Sequence, residues 1–163
     1  MNNKFDIEKF LSLEGYATND RVSRRKLNKD LDISNTCEFF TPYKLIRKLA
    51  DKISEKAWSN PDKNFLEPCM GNGQMILYII YNRIIHGISW DITLSHLWGI
   101  DILEDNVRET HQRVHNLFEQ MGIEYDKEMA QQIMDHNLVC HNFFDWDFQN
   151  WCPIKEEKAL PLF

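Results

Sequence analysis

The run Phe65-Leu66-Glu67-Pro68-Cys69-Met70-Gly71-Asn72-Gly73-Gln74-Met75 gathers the residue types that ligand chemistry needs. A short apolar stretch ends in an acid, a tight turn carries Gly71 and Gly73, and a long apolar segment follows at once. Glycines in such a turn let backbone approach a ligand with no Cβ in the way, and the start of a helix offers free N–H groups. A purely structural turn is the other reading of a bare Gly-x-Gly; its position between strand and helix is what favours a ligand. Asp101 ends the next apolar stretch, where a carboxylate can accept hydrogen bonds from the two ribose hydroxyls of a nucleoside cofactor. The span from Gly73 to Asp101 exceeds the roughly 20 residues of the dinucleotide fingerprint, and a loop over residues 89–95 accounts for the excess. Capping a helix that begins near Glu104 is an alternative role for Asp101, and the two roles are compatible. Cys140-His141-Asn142-Phe143-Phe144 closes a third stretch, where a polar side chain followed by an aromatic could clamp an adenine ring.

These residues need a scaffold, and the periodicity supplies one. Residues 5–13 carry a short helical pattern with Gly15 as a stop, and residues 16–38 read as a polar, basic connector. Thr41 is a good N-cap with Pro42 at the first helical position. Leu45, Ile46, Leu49, Ile53 and Ala57 then follow at helical spacing. Residues 64–67 predict a strand, 74–86 a buried helix ended by Gly87, and 96–101 a second strand. Residues 104–121 predict an amphipathic helix with Val107, Thr110, Val114, Leu117, Phe118 and Met121 on one face and Gly122 as its stop. A helix over 126–136 and a strand over 138–144 complete the series. Strands that alternate with helices run parallel through right-handed crossovers. The expected fold is therefore α/β, a partial doubly wound, Rossmann-like sheet spanning residues 38–163, with an N-terminal helical extension and connector over residues 1–37.

Composition is that of an ordinary globular domain: 163 residues, 43% hydrophobic and 27% charged. No apolar run is long enough to span a membrane, and MNNKFDIEKF lacks the apolar core of a signal peptide, so the expected setting is cytoplasmic. Cys37, Cys69, Cys140 and Cys152 show no Cys-x-x-Cys spacing and read as reduced thiols. A net charge of −6 argues against a chain that coats nucleic acid by itself. Arg21, Arg24, Arg25, Lys26 and Lys29 form a local basic cluster that could touch phosphates or simply be a solvated face.

The order Glu38-Phe39-Phe40-Thr41-Pro42, a helix, then Leu66-Glu67-Pro68-Cys69-Met70-Gly71-Asn72-Gly73 resembles the adenine-N6 DNA methyltransferases, a branch of the class I S-adenosylmethionine-dependent enzymes. The similarity runs from about Glu38 to Phe144. It implies that Thr41 and Pro42 lie beside the methionine end of S-adenosylmethionine and that Glu67, Cys69, Gly71 and Gly73 cradle it, with Glu67 facing its amino group. It also implies that Asp101 holds the ribose, Ile102 packs on the adenine, Asn142 accepts from the adenine amino group where the family usually has Asp, and Phe143 supplies the following apolar contact. The family's next strand ends in Asn/Asp-Pro-Pro-Tyr/Phe, which binds the flipped base, and no such tetrapeptide occurs in this chain. The resemblance thus implies a cofactor-binding module without catalytic residues of its own, reaching DNA through a complete enzyme or a partner subunit. A non-catalytic, methyltransferase-like binding or regulatory protein is the alternative. A nicotinamide-linked dehydrogenase is disfavoured by the incomplete Gly-x-Gly-x-x-Gly and by Pro68.

Other signals are weaker. His111 and His115 sit four apart on a helix but lack a marked third ligand, and His136, Cys140 and His141 are a similar near-miss, with Cys140 expected to be buried in its strand. Asp145 and Asp147 alternate with Phe144, Trp146 and Phe148, the pattern of an exposed edge packed on one side. Without the family's fourth strand, the first strand becomes an open edge. The expectation is that the chain dimerises, recruits a protein partner, or folds back its aromatic tail (Trp146, Phe148, Trp151, Leu160, Leu162, Phe163). Because the base-binding tetrapeptide is missing, the purified chain is expected to leave DNA unmethylated when incubated with labelled S-adenosylmethionine; incorporation of label would overturn this.

Overall fold

The computed structural model describes residues 5–14 and 41–154. The basic cluster from Arg21 to Lys29, the Glu38-Phe39-Phe40 run, and Leu160, Leu162 and Phe163 lie outside the described residues. Among the described residues, three helices precede the sheet: α1 (Ile7–Glu14), α2 (Tyr43–Ala50) and the single turn α3 (Glu55–Trp58). Strand β1 (Phe65–Glu67) leads into α4 (Gln74–Ile85) and α5 (Trp90–Ser95). Strand β2 (Leu97–Asp101) leads into α6 (Glu104–Met121) and α7 (Lys127–Asn137), and α7 runs without a linker into β3 (Leu138–Cys140). The three strands form a parallel sheet in the order β1-β2-β3, with Glu67 opposite Gly99 and Asp101 opposite Cys140. The architecture is mixed α/β, and no helix among the described residues is long and apolar enough to cross a membrane.

Local chemistry explains the helices. α4 buries Ile76, Leu77, Ile79 and Ile80, the all-round apolar pattern of a helix pressed against a sheet. α6 buries Val107, Thr110, Val114, Leu117 and Phe118 on one face. It stops at Gly122, whose φ of +67° lets the Ile123 N–H reach back 2.9 Å to the Phe118 carbonyl. At the start of α7, the Asp126 carboxylate accepts from the Met129 N–H at 3.0 Å. The helices close tightly on β2 because Gly99 has no side chain. A Cβ there would stand 2.7 Å from the Met70 sulfur and 3.1 Å from Leu138. α1 joins the same core through Ile7, Phe10 and Leu11, and Phe5 meets the Tyr81 ring of α4 at 5.9 Å.

The opposite face of the sheet carries a small hairpin, β4 (Trp146–Asp147) antiparallel to β5 (Cys152–Pro153). Trp98 of β2 meets Trp151 edge-on at 4.7 Å, and Trp151 in turn meets Trp146 at 5.3 Å. The Trp151 indole N–H donates to the His136 carbonyl at 2.7 Å, a bond that holds Trp151 at the left-handed φ of +50°. Leu66 receives no such cover and is half-exposed on β1, an edge strand among the described residues.

Arg83 is wholly buried within this core. Its guanidinium donates to the carbonyls of Asn60 at 3.1 Å, Lys63 at 3.3 Å and Pro61 at 3.2 Å, and lies 5.2 Å from the centre of the Phe65 ring. One side chain thus folds the 60–63 turn onto α4 and aims the chain into β1. No carboxylate among the described residues balances it, and burial pulls its pKa below the usual arginine value.

The elements depart from the sequence expectation in four places. Pro42, not Thr41, is the N-cap of α2, because its extended ψ of 147° puts its carbonyl in line with the Leu45 N–H at 2.8 Å. The stripe drawn from Leu45 to Ala57 is broken after Ala50; Ile46 and Ala50 are buried while Leu45 and Leu49 are about half exposed. Residues 89–95, read as a loop, contain α5 capped at Ser89. The third strand ends at Cys140, since the Asn142 side chain accepts from the Phe144 N–H and turns residues 143–145 into a 3-10 helix. Cys140 is accordingly exposed instead of buried.

Replacing Arg83 by Met leaves three carbonyls of the 60–63 turn without their donor. Arg83→Met is expected to lower the stability read by urea unfolding by about 3 kcal/mol, the scale for breaking a buried charged hydrogen-bond cluster. A loss below about 1 kcal/mol would mean that water replaces the guanidinium.

Candidate functional site

β1 and β2 run parallel, so Glu67 and Asp101 emerge at the same end of the sheet with the glycine loop between them. Several backbone groups of the loop are tied. The Met70 N–H donates to the Ile100 carbonyl at 2.9 Å, continuing the strand pairing past Glu67. The Gly73 N–H donates to the Met70 carbonyl at 2.9 Å, closing the turn. The Gly71 N–H donates to Asp101 Oδ2 at 2.9 Å. From α6, the Thr110 hydroxyl donates to the Gly71 carbonyl at 3.3 Å and the Arg113 guanidinium to the Asn72 carbonyl at 2.6 Å.

Gly71 and Gly73 have φ of +53° and +85°, conformations that a side chain resists. At Gly73 the restriction is doubled, because a Cβ would sit 2.7 Å from Thr110 Cγ2 and 2.8 Å from its Oγ1. Gly73 therefore serves the close approach of α4 to α6. The loop is thus a structural turn in its own right.

Asp101 does two jobs at once. Oδ1 accepts from the Leu103 N–H at 2.9 Å and from Asn106 Nδ2 at 3.0 Å, which starts α6, while Oδ2 holds Gly71. A carboxylate offers about four acceptor directions, so about one is left, on Oδ2, for a ligand hydroxyl.

A cavity of about 150 Å³ opens beside the loop, lined by Thr41, Leu49, Glu67, Cys69, Gly71 and Gln74 among others. Burial pushes the Glu67 carboxyl above its usual range, and the Cys69 N–H, at a long 3.5 Å, only partly offsets this. Burial also raises the Cys69 thiol, with Asp101 and Glu67 adding to the effect. Cys140, across β2 and exposed as a residue, is raised by partial desolvation of its thiol and then by Asp101, Glu104 and Asp105. Both sulfurs are held as thiols, so neither is a ready nucleophile.

The structure brings Thr41, Glu67, Cys69 and Gly71 to one cavity and ties Asp101 to it through Gly71. Pro42 follows Thr41 as the exposed cap of α2. Gly73 lies off the cavity, buried under Thr110. The His141 N–H donates to the Asp101 carbonyl at 2.9 Å, which sets Asn142 and Phe143 at the same sheet end but outside the cavity. Ile102 there is 61% exposed, an open shelf. The Asn142 amide nitrogen donates to Asp145 at 2.7 Å, and the Phe143 ring meets Phe148 at 4.8 Å. Thr110, Arg113 and Asn106, which hold the loop and Asp101, escaped sequence reasoning. Thr110 was counted only as a member of the helix's buried face, and a buried arginine carries no local signal. Among the described residues there is no group of three or more side chains that could hold a metal ion.

Comparison of the chain with protein-family models, curated proteins and solved structures found no match. What the site can do is therefore read from its own chemistry. It presents a partly buried acid and a second acid with about one open acceptor direction, a pair suited to a small ligand carrying a positive charge or hydroxyl donors.

Gly73→Ala combines a disfavoured φ with a clash against Thr110. It is expected to cost at least about 2 kcal/mol in thermal or urea unfolding. Gly87→Ala, at φ +87° with nothing within 4 Å of the added Cβ, is expected to cost less. Equal losses would show that Thr110 gives way freely.

Proposed function

We propose that the glycine loop binds S-adenosylmethionine, and that the chain is the cofactor-binding module of an adenine-N6 DNA methyltransferase built on a Rossmann-like half sheet. The observation that carries this reading is Glu67, a carboxylate whose burial raises its pKa and which lines a cavity with no cation beside it among the described residues. Such an acid is stabilised by a ligand ammonium group. When bound, the cofactor would supply a methyl group activated on a sulfonium centre. Glu67 holds the amino group, while Thr41 and the loop backbone enclose the methionine end. The last acceptor direction of Asp101 takes one ribose hydroxyl, and the exposed Ile102 offers an apolar rest for the adenine. The 150 Å³ cavity suits an amino-acid end, so the nucleoside lies across the open shelf toward Asn142 and Phe143. Two acids flanking the loop repel a pyrophosphate, which disfavours the nicotinamide reading.

A second reading has its own support. Asp101 and Asn142 already have internal partners, as they would in a methyltransferase-like binding protein that has no further need of the cofactor. In either case a protein partner is proposed for the edge at β1, where Leu66 and the α2 residues Leu45 and Leu49 are exposed. DNA is reached through that partner.

Calorimetric titration separates the two readings. The chain is expected to bind S-adenosylmethionine, and Glu67→Gln to weaken it about tenfold, or roughly 1.4 kcal/mol, just under the scale for a hydrogen bond to a charged group because Gln still accepts. The affinity of the unaltered chain should rise with pH as Glu67 ionises above the ordinary carboxylate range, and the variant should show no such rise. Folding disfavours the ionised form of a group whose pKa it raises, so this stability is lost as pH increases through the folded value. At neutral pH Glu67→Gln should therefore melt higher while binding more weakly. An absence of binding heat at millimolar cofactor would favour the second reading.

A further inference from the structure

His111 and His115, one turn apart on α6, face Gln131 of α7 from either side. The polarity of the hydrogen bonds between them is set by groups that can only accept. His111 Nε2 stands 3.1 Å from the Leu138 carbonyl at the start of β3, so that nitrogen must carry a hydrogen. The Gln131 amide nitrogen lies 2.7 Å from Asp135 Oδ1, which fixes the orientation of the carboxamide. The same nitrogen lies 3.0 Å from His111 Nδ1, so Nδ1 accepts and His111 is neutral. The Gln131 oxygen is then left facing His115 Nε2 at 3.0 Å, and Nε2 must donate. His115 Nδ1 accepts in turn from the Tyr125 hydroxyl at 2.9 Å. All the bonds of the chain Tyr125, His115, Gln131, His111, Leu138 thus point one way.

We propose that this chain is a relay whose middle reverses when His111 takes up a proton, making the contact between α6 and α7 a pH-sensitive switch. A proton from water binds His111 Nδ1, which can then no longer accept from Gln131. Asp135 Oδ1, 3.6 Å away, gives up the Gln131 nitrogen and swings over to take the new N–H as an ion-pair partner. The Gln131 carboxamide turns over, and its nitrogen now faces His115 Nε2. His115 releases the Nε2 proton to water and takes one up at Nδ1, with no net change in its charge. Nδ1–H then donates to the Tyr125 oxygen, whose own hydrogen turns outward. The bonds from His111 to Leu138 and between His115 and Tyr125 survive, the second with its direction reversed, so the switch operates without unfolding the helix pair.

The charged surroundings allow this. Asp135 is the acid facing His111 from α7, and His115 is the titratable neighbour on its own helix. Around His115 lie Tyr125 and the pair Lys127 with Glu119, joined at 2.6 Å. Burial holds His111, with a side chain only 13% exposed, below the usual histidine value, so the switch operates on the acid side of that value. Because folding lowers this pKa, stability is full above the ordinary histidine value and is lost as pH falls toward the folded one.

Histidine 15N spectra of the full chain, recorded as pH is lowered, test the switch. Through the titration of His111, the lone-pair 15N signal of His115 should move from Nδ1 to Nε2. In Gln131→Leu, His111 should still titrate while the tautomer of His115 no longer follows it. A His115 that keeps its Nε2 hydrogen throughout, becomes doubly protonated together with His111, or reverses equally in Gln131→Leu would overturn the proposal. The spectra of the unaltered chain decide the first two outcomes even if the variant fails to fold.

Discussion

The bond from the Gly71 N–H to Asp101 Oδ2 is the constraint on which the candidate site depends. It joins the turn after β1 to the turn after β2, and through Oδ1 the same carboxylate starts α6 at Leu103 and Asn106. α6 returns the support, since Thr110 and Arg113 hold the loop carbonyls from below. Loop, strand end and helix therefore define one another. A change at any of them is felt at the other two, and the open acceptor direction of Asp101 exists only while all three hold.

Buried charge is handled differently in the two halves of this scaffold. Arg83 is surrounded by carbonyl oxygens of a turn, and its ionisation is tolerated because those dipoles converge on it. Glu67 has a single long N–H contact and bears most of its desolvation cost. The first arrangement satisfies both terminal nitrogens, leaves only Nε without a partner among the described residues, and belongs to folding. The second is incomplete, and that incompleteness sets Glu67 apart from an ordinary structural acid.

Much of this scaffold could be read from residue order, for identifiable reasons. The bounds of α6 follow from a sustained apolar face and from Gly122, and both signals are local. The parallel sheet follows from alternation, which needs only the order of elements. α5 escaped because six residues are too few to display a helical period. The end of β3 was overrun because Asn142 competes with strand pairing through its own side chain, an effect that apolar patterning does not register. Leu45 and Leu49 fit a buried stripe by spacing, yet both stay about half exposed, and Leu49 lines the cavity beside the loop. Within the site, the choice of Glu67, Gly71 and Asp101 rested on strand ends and a turn. The role of Asp101 in starting α6 was legible as helix capping, but its bond to the Gly71 N–H could not be foreseen, because it depends on a distance across 30 residues of chain.

The indoles on the second sheet face have an optical consequence. Trp98, Trp151 and Trp146 lie within 4.7 Å and 5.3 Å of one another in sequence along the hairpin, at steep mutual angles of 66° and 78°. Transition dipoles so close and so oriented exchange excitation, and their near-ultraviolet dichroism belongs to the trio as a unit. Trp58, stacked on Phe65, and Trp90, beside Phe118, are seated in other surroundings. Undocking of the hairpin would dissolve the shared signal while leaving the helices and the parallel sheet intact, so this corner of the molecule carries its own chromophore.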